Sequence, residues 1–180
     1  QGADAGEKSA QTALAYLYEQ GLGVAQDFDT SFALLTSAAA KGRRFAEAAL
    51  SIHYLFGQGT PVDLEKAFRL AQAAYQHDVA YANGILGYLY AEALGTPRSL
   101  LRAVEHFQKG ADAGDGYSAD RLPVVQAELE CQRLAGDPHE DGAYGLGVTW
   151  EALQPEAAIA ACAAALDANP ETVGDMVWLG

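Results

Sequence analysis

Ala10–Gly23 (AQTALAYLYEQGLG) returns in register as Ala46–Gly59 (AEAALSIHYLFGQG) and again as Ala82–Gly95 (ANGILGYLYAEALG). The shift is 36 residues each time, without a gap. Ala10, Ala46 and Ala82 share one column; Leu14, Leu50 and Leu86 a second; Tyr18, Tyr54 and Tyr90 a third; Gly23, Gly59 and Gly95 a fourth. A single helix pair cannot bury its apolar stripe and needs neighbours on both sides, so a period of this length marks a stack of such pairs. The chain is therefore expected to be all-α, a right-handed α-solenoid of antiparallel helix pairs.

Each unit reads as a first helix, a glycine turn, a second helix and a short return. In the first, Ala10, Leu14, Leu17 and Tyr18 fall at helical spacing, and Gly21-Leu22-Gly23 ends the helix with residues able to take positive φ. Asp27 stands where an N-cap would accept bonds from free amides, Phe32, Leu35, Ala38 and Ala39 continue the second helix, and Gly42 stops it. Asp63 repeats the cap in the second unit. Small residues at Ala15, Ser51 and Gly87 let helices approach closely, and the tyrosines of the third column fill the space between units with their hydroxyls at a polar group or water. The boundaries that follow are 10–45, 46–81 and 82–117, with 118–180 an irregular helical linker or cap. Residues 1–10 match 109–118, which makes 1–9 the tail of a preceding second helix and the chain a piece of a longer protein.

This pattern of Ala-x3-Leu-Gly-x2-Tyr-x2-Gly-x-Gly-Val, then Asp, Lys-Ala and Ala-Ala-x2-Gly, resembles the Sel1-like repeat, a relative of the tetratricopeptide repeat. It is carried by Ala10, Leu14, Tyr18, Gly21, Gly23, Asp27 and Gly42 and by their counterparts through Gly114. The resemblance covers about two thirds of the chain and implies adaptor, regulatory or host-interaction roles. Unit three departs from it, with Ala93 at the first glycine and Ser99 at the aspartate, so its turn is expected to be tighter or less mobile.

Past Ser118 the register lasts only to Leu122. Leu122–Leu134 still reads as a helix with Pro123 in its first turn, and Pro155 to about Ala168 as another, closed by Asn169-Pro170. The Cys131-x2-Leu-Ala segment followed by Ala-Ile-x-Ala-Cys162 is similar to a linker between blocks of Sel1-type repeats. Cys131 and Cys162 are the only cysteines, and two states are open to them: a disulfide, as in the periplasm or outside the cell, or two buried thiols in a cytoplasmic protein. The even count, the placement on two helices and the resemblance favour the disulfide.

A net charge of -13, concentrated in 118–180 with 11 acids against 2 bases, argues against nucleic acid, and no apolar run is long enough to span a bilayer. No nucleophile with a base, HExxH motif or phosphate loop is visible. Asp137, His139, Glu140 and Asp141 read as a solvated acidic loop, not a metal site, and no cofactor is implied. The chain is expected to be no enzyme but a scaffold or adaptor for a protein or peptide partner, or else the recognition region of a larger enzyme. A small molecule in the groove would need an enclosed cavity. The expected partner-binding residues are Tyr16, Ile52 and Tyr88 in one column, Gln20, Phe56 and Glu92 four residues on, and His53 beside them. These side chains either line a concave wall or are buried between units.

Overall fold

The computed structural model describes residues 2–135 and 155–168, and these residues form eight helices. They are α1 (Gly2–Gln20), α2 (Phe28–Ala40), α3 (Arg44–Phe56), α4 (Leu64–Gln76), α5 (Tyr81–Ala91), α6 (Leu100–Asp112), α7 (Gly116–Ala135) and α8 (Pro155–Ala168). Each packs on the next in chain order, and α5 also touches α3 and α7. The first helices of successive units thus lie closer together than the second helices do, and their row is the inner, concave side of an α-solenoid.

The same backbone bonds recur at the same column in every unit. The amide of the cap residue donates to the tyrosine carbonyl, Asp27 to Tyr18 at 2.9 Å, Asp63 to Tyr54 at 2.9 Å and Ser99 to Tyr90 at 3.0 Å. The cap side chain then accepts from the third helical amide: Thr30 for Asp27, Lys66 for Asp63, Arg102 for Ser99. Asp27 is held below the usual carboxylate range by the hydroxyl and amide of Thr30. Ser99 thus does the work of the aspartate. Ala93 also takes its glycine's conformation, at φ 55°, with the Leu94 amide on the Leu89 carbonyl as in the other units. The expectation of a tighter turn in unit three is thereby corrected: the same backbone hydrogen bond closes the loop, with an alanine in the left-handed region.

Small residues let the two helices of a pair approach closely. Ala15 and Leu35 share one buried cluster, and Gly87 faces Phe107, whose ring would lie 2.7 Å from a Cβ on residue 87. Ser51 Oγ also donates to the Ala67 carbonyl at 2.8 Å, so the small column carries its polar group already paired. Between units, Tyr54 meets Phe32 edge-on at 5.5 Å and Tyr90 meets Phe68 at 5.3 Å, while their hydroxyls accept from Lys66 and Arg102. Burial follows the stack: Leu50 and Leu86 are 5% and 1% exposed, whereas Leu14, with no earlier unit against it among the described residues, is 40% exposed.

Two expectations at the ends need correction. Residues 2–9 do not stand apart as the tail of another helix, because Gly6, in the column of the left-handed Gly114, lies inside α1 and the helix runs on to Gln20. Pro123 is not in a first turn, because α7 begins at Gly116, where Asp115 Oδ2 accepts from the Ser118 amide at 3.0 Å. The proline is tolerated in mid-helix because it and Ala119, whose carbonyl loses its partner, are both exposed to water. Pro155–Ala168 is a helix as expected, and Cys131 and Cys162 are joined by a disulfide that ties α8 to α7. The acidic loop around His139 and the carboxy-terminal Trp178-Leu179-Gly180 lie outside the described residues.

The turn glycines set the spacing between units. A Cβ on Gly95 would lie 2.0 Å from the Leu64 carbonyl oxygen and one on Gly59 2.3 Å from that of Phe28, while one on Gly23 would meet nothing within 4 Å. All three have positive φ, so alanine at Gly23 is expected to cost about 1–2 kcal/mol from backbone strain alone. Alanine at Gly95 should cost roughly 1–3 kcal/mol more, because unit three must be displaced from unit two; urea denaturation of the two variants checks the difference. Replacing both cysteines by serine is expected to remove about 3–4 kcal/mol through the freed 31-residue separation. Hydrogen exchange should show that loss at 155–168, with the amides of α2 to α5 unchanged.

Candidate functional site on the concave face

Four stripes at helical spacing build the inner wall. On α3 they are Phe45, Ala49, Ile52 and Phe56, and on α5 Tyr81, Ile85 and Tyr88 stand in the same columns. Side chains three or four residues apart share a helix face, and the unit shift lays each face beside the next. The result is a furrow with two hollows that share Ile52 and Tyr81. The larger, of about 470 Å³, lies between α3, α5 and the start of α7 and is lined by Phe56, Tyr81, Ile85, Tyr88, Asp115 and Tyr117 among others. The smaller, of about 270 Å³, lies between α1 and α3 and includes Tyr16, Glu19, Gln20, Phe45 and Ile52.

The structure places the expected residues unevenly. Tyr16, Gln20, Ile52, Phe56 and Tyr88 all line the furrow, and Phe56 is 57% exposed. Glu92 sits just past α5, where it pairs with Arg121 at 3.6 Å. His53 does not belong to this face, for it is 0% exposed. Its Nδ1 lies 2.6 Å from the Gln58 carbonyl, which can only accept, so that nitrogen carries the proton. Nε2 faces Ser31 Oγ at 3.3 Å and Glu19 Oε2 at 3.9 Å. Ser31 is equally buried, so this serine–histidine contact ties α2 to α3 and has no opening to a substrate. In the same column Leu89 is buried as well, whereas Leu17 is 38% exposed.

The wall holds residues that the sequence reading missed. Phe45, Tyr81 and Tyr117 are themselves 36 residues apart, an aromatic column at the start of three successive first helices. Phe45 and Tyr81 stack at 5.9 Å between centroids. That periodicity was open to inspection in the sequence. Glu19 and Asp115 show no such column, and only folding brings them to either side of Tyr81. Burial first, then the charges of Glu19 and Asp115, push the Tyr81 hydroxyl above its usual pKa. Burial likewise raises Tyr117, opposed by Arg121.

Among the described residues, no group of three or more His, Cys, Asp or Glu is placed to hold a metal ion. No described helix is long and apolar enough to cross a membrane.

The Sel1 repeat model matches residues 8–42, 44–79 and 80–115, more than half of the chain. The chain belongs to the Sel1 repeat family. A Sel1 repeat protein from Oxalobacter formigenes is similar in structure, with a TM-score of 0.54 and 30% identity over 67% of this chain and 91% of that one. A protective antigen of uropathogenic Escherichia coli with an SLR fold matches 93% of this chain at a TM-score of 0.60 and 23% identity, a likeness of fold. This chain spans 32% of that antigen's length. No curated protein matches the sequence.

Between α4, α5 and α6 the Sel1 stack holds a titratable group with a large displacement. His106 stacks on Tyr90, meets Tyr75 edge-on and has Asn83 Oδ1 3.1 Å from its Nδ1. Burial, with Lys109 and Arg102 nearby, lowers its pKa from 6.5 to about 4. Between those values the unfolded chain binds a proton that the folded chain refuses, so stability falls as the pH drops through this window. The melting temperature of the wild type is expected to fall more between neutral pH and about pH 5 than that of His106→Gln, as measured by circular dichroism.

Proposed function

We propose that this chain is a non-enzymatic scaffold that holds a protein partner along the row of its first helices. Sel1 repeats mediate protein–protein interaction. The observation that carries the reading to this surface is the furrow itself, where Tyr16, Phe45, Phe56, Tyr81 and Tyr117 remain exposed although the core close by is closely filled. Contiguous exposed aromatics on a soluble surface mark an interaction site, since each ring offers a large contact area for little loss of side-chain freedom. The furrow is open along its length, which suits an extended or helical peptide segment better than a small enclosed molecule.

The same proposal places the protein in the periplasm or outside the cell. Its support is the Cys131–Cys162 bridge, since disulfides persist in oxidising compartments and are rare where glutathione keeps thiols reduced.

Replacing Tyr16 and Tyr88 by alanine is expected to weaken capture of the partner at least tenfold while far-UV circular dichroism stays unchanged. Binding is measured by affinity capture from the native host followed by titration of the purified partner. Unchanged affinity in a folded double variant would remove the furrow as the binding surface.

A further inference from the structure

We propose that the segment held in this furrow carries Lys or Arg side chains set among bulky apolar ones. The inference deepens the preceding reading and rests on it. Its ground is the charge of the lining. Each hollow has one carboxylate among aromatic and aliphatic groups, Asp115 in the larger and Glu19 in the smaller, and neither is lined by a lysine or arginine. Arg121, one turn beyond Tyr117 on α7, is paired with Glu92 at 3.6 Å. Glu19 lies 3.9 Å from the buried ring of His53 and lines the hollow beside Tyr81.

Asp115 is set by the fold. Both bonds its side chain accepts, from the amide and hydroxyl of Ser118, fall on Oδ2, which leaves Oδ1 for another donor. Gly84 makes the space, since a Cβ there would lie 2.7 Å from Oδ2. A cation entering the larger hollow would meet this carboxylate together with the rings of Tyr81, Tyr88 and Tyr117. One entering the smaller hollow would meet Glu19 with Tyr16, Phe45 and the other side of Tyr81. A carboxylate beside aromatic faces binds an ammonium or guanidinium through charge and ring quadrupole together, and the long apolar stems of Lys and Arg cover the remaining wall. The two hollows meet at Ile52 and Tyr81, so an unbroken segment can fill both. A net charge of -13 adds long-range attraction for a basic segment and repels an acidic one.

The test is selection of a random dodecapeptide display library on the intact protein, followed by isothermal titration of the selected synthetic peptides against wild type, Glu19→Gln, Asp115→Asn and the Tyr16/Tyr88→Ala double variant. Asparagine keeps the helix cap at 115, so loss of charge is read without loss of fold. The expected outcome is peptides enriched in Lys or Arg next to large apolar residues, whose affinity drops about five- to tenfold in each charge variant and weakens with added salt. Peptides that bind, lose affinity in the tyrosine variant, yet carry no cation or ignore both charge variants would overturn this inference and leave the furrow as the binding surface. Peptides indifferent to the tyrosine variant, or no selected peptide at all, would overturn both.

Discussion

The structure depends on how closely one helix pair can approach the next. At Gly59 and Gly95 the turn of one unit lies against the first carbonyl of the preceding second helix, so close that a single methyl group would collide with backbone. These contacts set the pitch of the stack. Everything carried on the first helices inherits that pitch, which is why Phe45, Tyr81 and Tyr117 form an aligned row and not three unrelated surface rings.

Inside each pair the constraint is volume. Gly87 gives up its Cβ to the ring of Phe107, while Ala15 and Leu35 are both buried in the first unit. Polar groups in these tight places are already satisfied, as with Ser51 on the Ala67 carbonyl and His53 between Ser31 and Gln58. An unpaired polar atom at such depth is costly, and these two residues instead connect neighbouring helices. The furrow is the complement of this economy. Its aromatics are spared from the core because the small columns let the helices close without them.

The last pair is held differently. After Leu122 the repeat pattern fades, and a covalent bridge ties α8 to α7, with Ala165 packed beside the cysteines. Arg98 reaches from the turn after α5 to Glu128 on α7, adding an ion pair beside the packing of Leu122, Val125 and Leu129 on the main core.

Much of this was legible in the chain. The columns dictated helix pairs, cap positions at Asp27 and Asp63, the small residues at 15, 51 and 87, and the stacking tyrosines, because each depends on local backbone chemistry repeated at fixed spacing. The concave stripe of Tyr16, Ile52, Phe56 and Tyr88 was legible for the same reason. What only the tertiary structure decided was burial and juxtaposition across units. His53 looks like a surface residue beside that stripe and is sealed in the core, Pro123 lies deep in a helix that began earlier, and Glu19 and Asp115, nearly a hundred residues apart in the chain, flank one tyrosine. Periodicity specifies which side of a helix a residue occupies; the neighbouring helix determines how much of that side water still reaches.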